Sequence, residues 1–222
     1  MEAADTVIAG SEVLAEAAAE ISNNVVMIPS CVEPSKYVRK QNYSITGSPT
    51  AVWIGTPSTE PFLAGIADAL LSLHRRLGLR VRVISAGTAS LGPLDPIVDR
   101  IPWSIDTFSE HLASADLGIM PLPNTSFERG KCAYKLLQYG ATGLPMVGSP
   151  VGANVQALAR MGGVSSGSAR GGWEESISSI INASSREREM MGHTSRRGVE
   201  THYSYKAWAE TWLRATSLAS FV

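Results

Sequence analysis

Short apolar runs rich in valine and isoleucine alternate with stretches of helical periodicity along most of this chain, and that alternation leaves few architectures open. Antiparallel neighbours need only a tight turn between them, so a strand, a helix and then another strand is the pattern of parallel strands joined by crossovers. Strand candidates are Val25 to Ile28, Ala51 to Ile54, Val81 to Ser85, Leu117 to Met120 and Pro145 to Gly148, with a further strand expected before Trp103. Helix candidates lie between them at Ser11 to Glu20, Thr59 to Arg76, Phe108 to Ser114, Lys131 to Thr142 and Asn154 to Met161. Three more follow, at Trp173 to Asn182, Arg186 to His202 and Ser204 to Ala219. The expected fold class is α/β with a parallel sheet.

A chain of 222 residues has room for one α/β domain and some extra length, and a core of about 100 to 200 residues needs no staples. The extra length is at the start. Pro29 to Pro49 hold three prolines and no clean periodicity, which marks a connector. The helix and strand before it are too little to fold alone. Residues 1–28 are therefore expected to be the tail of a larger unit or an added edge of the domain that follows.

Nineteen basic residues face twenty acidic ones with no long block of either sign, which argues against a nucleic-acid partner held by bulk charge. The two cysteines, Cys31 and Cys132, have no metal-ligand spacing around them and point to a reducing cytoplasm. The N-terminus, MEAADTVIAGSEVLAEAAAE, is acidic where a signal peptide would be basic. No stretch reaches about 18 apolar residues, so no transmembrane segment is expected. The expected location is cytoplasmic, free or peripheral to a membrane.

Glycines and small polar residues follow several of the strands: Gly55-Thr56-Pro57-Ser58-Thr59, Gly87-Thr88, and Ser149-Pro150-Val151-Gly152-Ala153-Asn154. Ligands of open parallel sheets sit beyond the carboxyl ends of the strands, where helix N-termini converge, so these loops suit a phosphate-bearing ligand. They are also ordinary turn composition. Neither a Walker-type loop nor a G-x-G-x-x-G string is present.

The segment from Ser126 to Pro145 is more informative. At about 100° per residue, Lys131, Lys135, Gln138 and Thr142 share one narrow stripe of a helix that is otherwise Cys, Ala, Tyr, Leu, Leu, Tyr and Ala. Arg129 and Lys131 fall at the predicted helix start, where the macrodipole disfavours cations by about 0.3 to 1 kcal/mol unless an anion lies there. First-turn N–H groups, opened by Gly130, would add hydrogen bonds to that anion. The alternative is a half-exposed helix whose lysines reach for water.

Other candidates carry less. His74, His111, His193 and His202 show no metal spacing. Trp103 could stack on a nucleobase or close the core. Asp116, just before an apolar strand, could cap locally, and Cys132 reads as a small core residue.

The string GKCAYKLLQYGATGLPMVGSPVGAN, with LGIMPLP before it and WIGTPST around residue 53, resembles glycosyltransferase family 4 in the broad sense, the retaining GT-B enzymes. The ADTVIAGSEVL opening and the NNVVMIPSCVE exit look like the last helix-strand step of that family's N-terminal domain. Trp173, the Arg196-Arg197 pair and Val199-Glu200 through Tyr203-Ser204 match its usual run to the C-terminal helices.

The resemblance implies a Rossmann-like donor domain at residues 51–203, with helices on both faces of the sheet. The tail of an N-terminal domain would occupy 1–28, a linker 29–50 and a crossover helix 204–222. It implies a nucleoside-diphosphate sugar as donor substrate, with no metal and no other cofactor. Lys131 and Lys135 take the catalytic role, stabilising the leaving diphosphate. Gln138 stands where most relatives have the second of two glutamates, the one that binds the donor ribose.

The first glutamate's position is Gly130, and Glu128 would have to reach from a differently shaped loop. Where many relatives carry an Arg and a Lys after the first strand, this chain offers the hydroxyls of Thr56, Ser58 and Thr59. Gly55, Gly87, Trp103, Arg129, Gly152 and Asn154 complete the expected donor site.

Only a fragment of the acceptor domain would be present. The resemblance thus implies a missing N-terminal domain or a separate partner chain, and weak or no turnover by this chain alone. The last helix, with Trp208, Trp212 and Leu213, is a candidate for self-association. The alternatives to a glycosyl transferase are a non-catalytic sugar-nucleotide-binding fragment or subunit, and a sugar-nucleotide epimerase on the same fold.

Overall fold

A computed structural model describes residues 4–167 and 172–216. The chain opens on a parallel pair, β1 (Val7–Ala9) and β2 (Val25–Met27), joined by α1 (Glu12–Ala19). The main sheet follows: β3 (Thr50–Ile54), α2 (Ala67–Leu77), β4 (Arg80–Ser85), β5 (Val98–Pro102), α3 (Phe108–Ala113), β6 (Leu117–Met120), α4 (Ser126–Arg129), α5 (Tyr134–Thr142), β7 (Met146–Gly148), α6 (Asn154–Met161) and β8 (Val164–Ser165). Helices α7 (Gly172–Asn182), α8 (Ser185–His202) and α9 (Tyr205–Ala215) close the described chain.

The six strands are all parallel, in the order β5-β4-β3-β6-β7-β8. The sheet grows from β3 outward to β5 and then returns to the other side of β3, so the order reverses between β3 and β6. Two apolar layers cover it. Trp53, Leu70, Leu73, Val81, Val83, Leu94, Leu117 and Ile177 pack on one face. Val52, Ile54, Leu112, Leu136, Leu137, Tyr139, Leu158 and Val199 pack on the other. The expected α/β class with a Rossmann-like sheet and helices on both faces is what the chain forms.

Several local expectations are corrected. The helix expected from Thr59 to Arg76 is a 3-10 segment, Pro57–Ile66, followed by α2; Pro61 has no N–H to give and its ring blocks the regular ladder. The helix expected from Lys131 begins at Tyr134, because Ala133 turns into the left-handed region at φ 56°. Residues 126–129 form the separate turn α4, which Gly130 terminates at φ −75° rather than opening α5. Strand β1 precedes α1, so residues 7–27 form a strand-helix-strand unit and not a helix-strand pair. The last helix ends at Ala215, and residues 217–219 of its expected span lie outside the described residues.

The connector is less open than its composition suggests. Val32, Lys40 and Tyr43 are buried, and Val32 forms a parallel bridge to Ser204. Lys40 donates its backbone N–H to Thr142 and its ammonium to the carbonyls of Ala113 and Ala115 at the end of α3. The Tyr43 hydroxyl donates to the Gly143 carbonyl at 2.8 Å. Buried Arg188 donates to the Tyr43 carbonyl at 2.9 Å and to Ile180, Ile181 and Ala183 around the end of α7. Cations at helix C-termini answer the negative end of the dipole.

Candidate functional site

Strands β3 and β6 pair only at Ala51↔Leu117 and Val52↔Gly118. Beyond that point the Tyr139 hydroxyl spans the gap, accepting from the Ile54 N–H at 3.3 Å and donating to the Ile119 carbonyl at 3.0 Å. A cleft of about 1000 Å³ opens at the carboxyl ends of these strands, where open parallel sheets bind their ligands. Ile54, Gly55 and Met120 form its floor, and Tyr134, Lys135 and Gln138 of α5 form one wall. Trp103 and Phe108 stand at the β5 side, and the connector supplies Glu33, Lys36 and Tyr37.

Lys135 is the central charge. Its ammonium lies 5.4 Å over the Trp53 ring, and its stem is so close to Gly55 that a Cβ there would come within 2.9 Å of it and 2.5 Å of the Trp53 ring. Burial, and then the like charge of Lys131, pull its pKa down to about 8. Lys131 is better supported, 3.6 Å from the Glu128 carboxylate and over the rings of Phe62 at 4.8 Å and Phe127 at 5.3 Å. The hydrogen bond from Thr125, and then Lys131, hold the Glu128 carboxyl below its ordinary range.

The opposite wall carries a phenol and charges of both signs, Tyr37 with Glu33 and Lys36. Burial, and then Tyr134, push the Tyr37 hydroxyl above its ordinary range, and the Gln138 side chain lies close enough to act on it in the opposite direction. Tyr37 meets Phe108 edge-on at 5.6 Å, and Trp103 stacks on Phe108 at 6.2 Å with its other side half exposed. Glu33 accepts from the Ser35 hydroxyl at 2.8 Å and its N–H at 3.2 Å, and these bonds hold its carboxyl low.

The structure thus brings together Lys131, Lys135, Gln138, Gly55, Thr56 and Trp103 of the residues named from the sequence. Lys131 stands in the loop before α5 and not on its first turn, so the dipole argument does not apply to it there. The other candidates face elsewhere. Thr59 bonds back to Thr56, and Gly87 accepts from Arg100 at 2.9 Å behind the Glu60–Arg100 ion pair. Glu128 is buried against Thr125 and Lys131. Arg129 is exposed and donates to Asn124 at 2.7 Å, while Gly130 accepts from Ser11 at 3.3 Å. Asn154 is fully buried and braces the β7–α6 loop by donating to Ser149. Gly152 lines a second pocket of about 360 Å³, under α1.

No protein-family model matches the sequence, and no curated protein matches it. Solved structures do. A sucrose-phosphate synthase from Thermosynechococcus elongatus superposes with a TM-score of 0.73 over 99% of this chain and 60% of its own, at 14% identity. HepE from Anabaena, solved in complex with UDP and glucose, gives 0.74 over 96% of this chain and 63% of its own, at 12% identity. WaaG, a glycosyltransferase involved in lipopolysaccharide biosynthesis, gives 0.70 over 94% and 62%, at 14% identity. The fold is that of a GT-B C-terminal domain. The chain spans about three-fifths of the length of these GT-B neighbours.

Within that GT-B frame, the connector wall of the cleft is what the sequence did not reveal. Glu33, Lys36 and Tyr37 lie about a hundred positions before Gln138, in a segment without periodicity. Tyr134 and Tyr205, which also line the cleft, read as ordinary aromatic positions of helices. Phe62, which supports Lys131, is hidden in the 3-10 segment that read as a regular helix.

Proposed function

We propose that the cleft binds the nucleoside-diphosphate end of a sugar nucleotide, and that the chain is the donor-binding part of a retaining glycosyltransferase. The observation that carries this reading is the pair Lys131 and Lys135, two cations on one cleft at the reversal of strand order, of which Lys135 has no carboxylate partner among the described residues. A diphosphate between them supplies the missing countercharge. As the glycosidic bond to the diphosphate breaks, negative charge grows on the leaving oxygen, and ammonium groups already in place stabilise it without reorganising. Gln138 offers its amide to the ribose hydroxyls, and the free side of Trp103 offers a stacking surface to the base. That HepE was solved with UDP and glucose is consistent with this reading.

The acceptor is proposed to come from a further domain or a partner chain. Calorimetry with UDP and GDP tests the donor reading directly: micromolar to millimolar binding supports it, and no binding of either at millimolar concentration removes it. Glu33 favours a second reading, since it lines the cleft with a carboxylate and an epimerase calls for one. Conversion of a UDP-sugar to its epimer without any acceptor would select that alternative.

A further inference from the structure

Lys135 enters the cleft with its stem packed on Gly55 and its ammonium over the Trp53 ring. Strand β3 and its following loop bring Trp53, Gly55 and the Thr56 hydroxyl, none of them ionic at neutral pH. From α5 itself come Tyr134 and Tyr139, and the Tyr139 hydroxyl is committed to Ile54 and Ile119. From the loop before α5 comes Lys131, whose own carboxylate, Glu128, is buried on Thr125. Glu33, Lys36 and Tyr37 line the connector wall of the same cleft, and among the described residues the charge that bears on Lys135 is Lys131, a like one.

A half-buried amine beside a like charge holds its proton less tightly than a free one until an anion arrives. Resting on the donor reading above, we propose that capture of a nucleoside diphosphate by this cleft draws a proton from solvent onto Lys135, so that diphosphate binding and proton uptake are one coupled event. The ordinary amine range lies well above neutrality, and burial together with Lys131 holds this group at about 8. The free cleft near pH 8 is therefore a mixture of ammonium and amine. The bound cleft, with phosphate oxygens beside Nζ, is all ammonium. Above that pH the protonated form must be paid for, and the apparent affinity falls by up to about tenfold per pH unit, as linkage requires.

The test is calorimetry of the full chain with UDP at pH 8 and at pH 6.5, each in two buffers of different ionisation enthalpy. Phosphate esters have a second pKa of about 6, so the nucleotide takes up no proton at pH 8. The expected result is uptake of about half a proton at pH 8 and, at pH 6.5, no uptake but release of up to about a quarter of a proton from the nucleotide's own phosphate. Lys135→Arg, whose charge is permanent, is expected to bind UDP with no uptake at either pH. Wild-type binding without proton uptake at pH 8 overturns the proposal and leaves the donor reading intact; failure of UDP and GDP to bind at all overturns both. Should the arginine variant fold poorly, the ¹³Cε shift of Lys135 in labelled wild-type protein decides. A midpoint near 8 that moves up by a unit or more on adding UDP supports the coupling, and an ordinary midpoint in the free protein refutes it.

Discussion

The Tyr139 ring lies flat against Gly118, so close that a Cβ on residue 118 would stand 2.5 Å from its ring carbons. The missing side chain is what lets Tyr139 reach across β6 and join Ile54 to Ile119 where the strands part. The cleft floor therefore depends on an absence in one strand and a hydroxyl from a helix.

Gly118→Ala is expected to destabilise the protein by about 2 kcal/mol or more, since both the added methyl and the ring are confined. Tyr139→Phe leaves the Ile54 N–H and the Ile119 carbonyl without their bridge and is expected to cost about 1 to 3 kcal/mol. Urea denaturation of both variants checks this. A loss under 0.5 kcal/mol in each would mean the floor is held by something else.

Lys131→Ala is expected to weaken binding of a nucleoside diphosphate by about 1 to 3 kcal/mol, the scale of a lost charged hydrogen bond. Calorimetry with UDP or GDP reads it. Unchanged affinity would take Lys131 out of the diphosphate site.

The titration of Lys135 also shows in stability. Its folded pKa, about 8, lies below the ordinary 10.5, so between these values the unfolded chain holds more protons than the folded one. Stability from this group therefore rises with pH across that window, by about 2 kcal/mol after allowance for partial exposure, and the penalty is complete below pH 8. Lys135→Met removes it. Relative to wild type, the variant is expected to gain stability at pH 7 and lose that advantage by pH 10 in chemical denaturation; parallel curves would contradict this.

Glu60 and Arg100 form a two-pronged pair at 3.2 and 3.1 Å, and the same guanidinium also holds the Gly87 and Ala89 carbonyls. Glu60→Ala leaves a half-buried guanidinium without its carboxylate and is expected to cost about 2 kcal/mol. Hydrogen exchange should accelerate first in residues 86–89. Uniform loss of protection across the sheet would show that the pair does not act locally.

What the sequence disclosed follows from which forces act between neighbours along the chain. Ala51–Ile54 and Leu117–Met120 are buried on both faces, so they read as unbroken apolar runs. Strand β5, VDRIP, is at the sheet edge and half exposed, so its charges left its place before Trp103 legible but not its bounds. Ala133 is left-handed at φ 56°, a conformation that alanine does not advertise as glycine would. Lys135 was legible because a polar residue on a greasy helix is conspicuous, and Lys131 because it falls on the same stripe in the sequence although it stands in the loop before α5. The connector wall was not, because what fixes it are bonds such as Arg188 to Tyr43, 145 positions apart.

That connector has a mechanical consequence. From Val32, clamped to Ser204, through Lys40 and Tyr43, pinned to the ends of α3, α5 and α7, it is riveted to the main sheet and can transmit no slack. The leading strand-helix-strand unit joins it through residues 29–31, beside Cys132 and the rim of the cleft, and is held a second time by the Ser11 hydroxyl on the Gly130 carbonyl.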